Sequence, residues 1–222
     1  MKAVQRQGAT AYEQIIRGIA SGDFAPGQAL SETQLAEYCG VSRTPVREAI
    51  QRLESERVIV NADRVWRVSD PTQDEIYEMY ETNAILEAAN ARLAAGRRTD
   101  LDLAVLHGLA DDARATPPDA DVQQLIALSH EFALALWRAA HNRSLMEILE
   151  RIGRQHGRFG GRSSLSQDGQ WGKTQTYFEE ILGAIEARDA DAAAATAERQ
   201  ALAVRDVRIA MWRVAHTHAG TQ

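Results

Sequence analysis

The chain contains one cysteine in 222 residues. Cys39 cannot close an internal disulfide, so no covalent staple supports the fold, and a reducing cytoplasm is the expected setting. Proline is scarce as well, 5 in all, which leaves long helical patterns largely uninterrupted. No run of about eighteen apolar residues occurs, which excludes a membrane-spanning helix. The opening MKAVQRQGATAYEQ lacks the apolar stretch of a secretory signal. Also missing are a G-x-S-x-G elbow, a phosphate-cradling glycine loop and H-E-x-x-H, and Cys39 has no histidine near it in sequence. No enzyme activity and no cofactor are expected. An excess of positive charge is absent too: 25 Lys and Arg against 31 Asp and Glu leave a net charge of −6, which argues against nonspecific coating of nucleic acid.

What charge there is lies unevenly. Arg43, Arg47, Arg52, Arg57, Arg64 and Arg67 crowd the amino-terminal part, whereas Asp100 to Asp121 is acidic. The amino-terminal part is therefore the one suited to meet phosphate. The length accommodates two domains, each able to bury its own core.

Apolar residues at helical spacing from Tyr12 through Ile15, Ile16 and Ile19 predict a first helix, broken by Ser21-Gly22-Asp23 and Pro26-Gly27. Ser31-Glu32-Thr33-Gln34 reads as a capping box that opens a short helix through Tyr38, with Leu35 and Ala36 as its apolar contacts. Gly40 can take the positive φ that ends it, and Ser42 can cap the next helix, Arg43 to Glu56. Pro45 falls in the first turn, where its missing amide hydrogen costs nothing. Val58-Ile59-Val60 and Val65-Trp66-Arg67-Val68, separated by Asn61-Ala62-Asp63-Arg64, predict a hairpin.

Asp70-Pro71-Thr72 reads as a linker. Beyond it helices are predicted over Gln73–Ala95, Asp100–Ala115, Asp119–Ala140, Ser144–Phe159, Gln170–Ala187 and Ala190–Val214, with the longest loop from Gly160 through Gly169. The expected fold class is mainly α. A winged helix-turn-helix over residues 1–70 precedes an all-helical bundle over 71–222 that binds an effector and dimerises.

In VSRTPVREAI, Val46, Ala49 and Ile50 point inward, leaving Arg43, Thr44 and Arg47 on the open face. Arg43 and Arg47 stand one turn apart, so both forks can enter a major groove and bond guanine O6 and N7. Thr44 and Ser42 suit phosphate near the helix amino terminus. An isolated Arg pair is more often a solvated face, with Glu48 pairing Arg52. The capped helix and glycine turn that precede this one favour DNA.

The stretch LSETQLAEYCGVSRTPVREAIQRLESE resembles the DNA-binding domain of the GntR family of regulators, over about residues 8–68. The resemblance places Arg43, Thr44 and Arg47 on the family's principal DNA contacts. Ser31, Thr33, Ser42 and Arg64 complete the candidate set. Thr33 stands where some members carry a contacting Arg, and Arg57 and Val65 stand where the wing usually has glycines.

ILEAANARLAA and AAHNRSLMEIL resemble the FCD effector domain of the FadR subfamily. Members usually hold a divalent metal with an Asp and three His. The corresponding places here are Ser129, Ala133, Phe178 and Gln200, none a strong ligand, and Asn83 replaces a common carboxylate-binding Arg. No metal is therefore expected, unless a shifted site uses His130, with His141 eleven residues beyond. His216 and His218 read as part of a mobile tail. What remains is a neutral polar effector site of Tyr80, Asn83, Ser129 and Gln200. A solid helical core with water-satisfied polar groups is the alternative. Trp137, Trp171, Phe178 and Trp212 read as packing residues.

These readings imply a homodimeric, ligand-responsive regulator, repressor-like, on an operator with two-fold symmetry. Two rivals stand beside it: an architectural DNA-binding dimer that senses nothing, and a ligand-binding or enzymatic bundle with a vestigial DNA module.

Overall fold

The computed structural model describes residues 10–157 and 164–217. These divide into two compact units, 10–71 with 153–157, and 72–152 with 164–217. Among the described residues no helix is long and apolar enough to cross a membrane.

The first unit contains α1 (Ala11–Ser21), β1 (Ala29–Leu30), α2 (Glu32–Cys39), α3 (Arg43–Ser55), β2 (Ile59–Ala62) and β3 (Val65–Val68). Thr10 and Glu13 close a reciprocal capping box on α1, and Gly22 ends it at φ 85°. The α2 cap is half of the expected box. Ser31 Oγ accepts from Gln34 N at 3.2 Å, with no reciprocal bond from the Gln34 side chain. Gly40 ends α2 at φ 66°, the left-handed turn the sequence called for. Ile15, Ile19, Leu35, Ile50 and Leu53 form the buried centre with Val58 and Ile59. Cys39 is buried and anchors the end of α2, while Ala36 is only partly covered.

Three antiparallel strands order as β1-β3-β2. The sequence reading missed β1, two residues long, which pairs Ala29 with Arg67 and Leu30 with Trp66. The expected four-residue hairpin loop is shorter than that: Asn61 and Ala62 belong to β2, and Ala62 pairs with Val65. The turn is Asp63-Arg64 at φ 54° and 64°, the two-residue geometry whose twist suits a hairpin. Of the two places lacking the usual glycine, Arg57 takes a positive φ of 55°, whereas Val65 lies in a strand. Arg52 pairs with Glu56 at 3.3 Å, not with Glu48, and lies 3.8 Å over the Tyr12 ring.

The second unit comprises α4 (Gln73–Arg97), α5 (Asp100–Ala115), α6 (Val122–Ala139), α7 (Arg143–Gly157) up to Ile152, a 3-10 turn (Ser164–Ser166), α8 (Gln170–Glu186) and α9 (Ala190–Thr217). The helices expected from periodicity are all found. Asp121 caps α6 through Gln123 N at 2.7 Å, so the helix starts later than Asp119. Residues 158–163 of the expected α7 end and long loop lie outside the described residues. Capping boxes Thr72/Glu75 and Thr99/Asp102 start α4 and α5. Ala91, Ala94 and Ala95 of α4 and Ala193, Ala197 and Ala201 of α9 are buried, and such small side chains let the two long helices pack closely. Arg98 donates to Glu186 O at 3.0 Å and Arg188 to Gly96 O at 3.1 Å, filling carbonyls that helix ends leave open.

Candidate nucleic-acid interface and effector site

The turn at Gly40 sets α3 against α2. Val46, Ala49 and Ile50 seal the inner face of α3, and Ser42, Arg43, Thr44 and Arg47 are all exposed on its amino-terminal half. Ser31, Thr33 and Arg64 are exposed as well, Arg64 at the hairpin tip. Ser42 occupies the N-cap position but its hydroxyl makes no capping bond. The expected Ser42 cap is therefore corrected: the side chain and the first-turn amides stay open, which is the arrangement that receives a phosphate.

Arg47 is not a free fork. Its Nε donates to Glu32 Oε1 and its Nη2 to Glu32 Oε2, both at 2.9 Å. This bidentate pair crosses from the first turn of α2 to the second turn of α3 and is largely solvated, with the Arg47 side chain 63% exposed. The Arg47 guanidinium holds the Glu32 carboxyl below its ordinary range, and Arg43 adds to the effect. A fork that already grips a carboxylate bidentately has the planar geometry that a guanine edge requires.

The residues expected to bind effector separate into two kinds. Tyr80 is buried at 2% exposure and its hydroxyl bonds Arg208 of α9, so it ties helices together. Asn83 is buried without a side-chain hydrogen bond, and Ser129 and Gln200 are half-buried.

The places that the FCD resemblance assigns to a metal do not fit an ion. Phe178 is stacked on Phe132 at 3.8 Å between ring centroids, and Ala133 offers no donor. His130 is exposed, and His141 Nε2 lies 2.8 Å from Asp102 of α5. Among the described residues no three His, Cys, Asp or Glu side chains gather where they could hold an ion. His216 is not in a loose tail: α9 runs to Thr217, and the ring stacks on Trp212 at 4.1 Å. His218 lies outside the described residues.

Trp171 and Phe178 pack as expected, Trp171 donating to Thr116 O at 2.9 Å. Trp137 does more. Its indole N–H donates to Glu87 Oε2 of α4 at 3.0 Å, and burial pushes the Glu87 carboxyl up to about 7 despite that bond. Tyr177 of α8 is close enough to Glu87 that the carboxylate adds to burial in holding its phenol up.

Residues 7–65 match the model of the bacterial regulatory proteins of the gntR family, and residues 78–201 match the FCD domain. The chain belongs to the GntR family of bacterial regulators and carries an FCD domain. It is 31% identical over 143 residues to an uncharacterized HTH-type transcriptional regulator, YdhC, of Bacillus subtilis, covering 64% of each chain. To the Glc operon transcriptional activator of Escherichia coli it is 32% identical over 160 residues, 63% of each. The matches thus span less than two thirds of these relatives' length. The solved structure of E. coli McbR/YncC superposes with a TM-score of 0.70 at 25% identity, covering 93% of this chain and 96% of that one.

Two carboxylates escaped the sequence reading. Glu32 was read only as part of a cap, yet it meets Arg47 fifteen residues away. Glu87 did leave a trace: Tyr80, Asn83, Glu87, Asn90 and Ala94 repeat at helical spacing, so three polar residues fall on a stripe that is otherwise buried.

Proposed function

We propose that this GntR/FCD chain is a sequence-specific, ligand-responsive transcription regulator that binds a two-fold-symmetric operator as a homodimer. The observation that carries the reading is the exposed set Ser42, Arg43, Thr44 and Arg47 at the start of α3, over a sealed apolar face. Arginine at the start of a helix entering the major groove can read guanine, and the open first turn can hold phosphate. Exposed Ile85, Leu101 and Val105 on α4 and α5 supply apolar surface of the kind that a second subunit covers. Asn83, Ser129 and Gln200 supply polar groups for an effector, without metal.

Binding of operator and random duplex by the native chain and Arg47→Ala tests this. The variant should lose about 1 to 3 kcal/mol at the operator and relax base preference, with two chains per operator in both cases. An unchanged operator-to-random ratio refutes direct readout by Arg47.

A further inference from the structure

Glu87 is a carboxylic acid in the helical core that has no cation beside it among the described residues. Among the described residues only the Trp137 N–H meets its carboxyl, and no Arg, Lys or His pairs with it. The residue still keeps part of its surface open, so packed atoms do not seal it completely.

Its neighbours on the same face of α4 share the deficit. Asn90 is fully buried; its Nδ2 donates to Leu136 O at 3.1 Å, while Oδ1 has no partner. Asn83, one turn before Glu87, makes no side-chain hydrogen bond among the described residues. A fully buried acceptor without a donor is costly to keep, and a ligand N–H could satisfy it.

Two aromatic side chains flank the carboxylate. Trp137 comes from α6 and Tyr177 from α8, and the Tyr177 ring stands edge-on to Phe132 at 6.4 Å. From α9, Arg208 is engaged by Tyr80, two turns before Glu87 along α4. A carboxylate and an orphan amide oxygen both attract positive charge.

We propose that the FCD effector site of this chain takes a small ligand bearing a protonated amine or quaternary ammonium, gripped by the Glu87 carboxylate between Trp137 and Tyr177. The proposal rests on the ligand-responsive reading above and names its ligand class. Because Glu87 titrates near 7 and a cation favours its charged form, binding at neutral pH expels about half a proton per ligand.

The test is calorimetry on the full chain at pH 7 in two buffers of different ionisation enthalpy, with choline, butylamine, butyrate and butanamide as probes. Choline or butylamine should bind with release of about half a proton and quench tryptophan fluorescence, and Glu87→Gln should weaken binding at least about tenfold. Glu87→Gln keeps the acceptor for Trp137, and an unchanged near-ultraviolet dichroism verifies its fold. Amine binding without proton release, or unchanged in the variant, overturns the proposal. Binding of butyrate or butanamide alone overturns it but leaves the sensing function standing. No response to any probe also overturns the proposal.

Discussion

Glu87→Gln should stabilise the protein, and only above a definable pH. Burial raises the carboxyl from 4.5 to about 7, so between those values the folded state holds a proton that the unfolded chain has released. Stability therefore falls as pH rises through this window, and the full penalty is present above about 7. At about 1.4 kcal/mol per pKa unit, the shift is equivalent to roughly 3 kcal/mol. Glutamine is neutral at every pH and its carbonyl can still accept the Trp137 N–H, so the variant escapes the penalty. Urea unfolding followed by tryptophan fluorescence is a suitable assay, because Trp137, Trp171 and Trp212 lie in the second unit and only Trp66 in the first. The two proteins should match near pH 4.5 and diverge to about 3 kcal/mol by pH 8. Curves that stay parallel across that range would show that the carboxyl is not held neutral by burial. A group kept at such a cost is more often functional than structural.

Three other outcomes are expected. Arg64→Gly should raise thermal stability by about 1 kcal/mol, because φ 64° strains any residue with a Cβ; if Arg64 also meets phosphate, the same variant loses affinity evenly across DNA sequences and flattens the salt dependence. Glu32→Gln should release Arg47 and tighten binding to random duplex by a few-fold at most, as expected for an exposed pair; weaker operator binding would mean that Glu32 instead orients the fork. Stoichiometric zinc, nickel or manganese should leave the melting temperature unchanged, and near-stoichiometric uptake that vanishes in His130→Ala would refute the metal-free site.

Most of the architecture was legible because it rests on local signals: spacing of apolar residues, Ser, Thr and Asp caps, Gly40 at a left-handed turn. These act within a few residues and survive in one dimension. β1 was not legible, since two residues carry no periodicity and become a strand only by pairing with Trp66 and Arg67. The exposed face of α3 could be read from its buried stripe, but the Arg47–Glu32 pair could not, because it depends on how α2 crosses α3. Tyr80 lies on the inner stripe of α4, and the Arg208 that meets its hydroxyl comes from α9, a pairing no local pattern announces. Seven residues on, the same stripe presents Glu87 with no cation from the described residues. The distinction between a satisfied polar residue and an available one lies wholly in what the opposing helix brings. That is why the stripe itself was visible in the sequence and its one unpaired carboxylate was not.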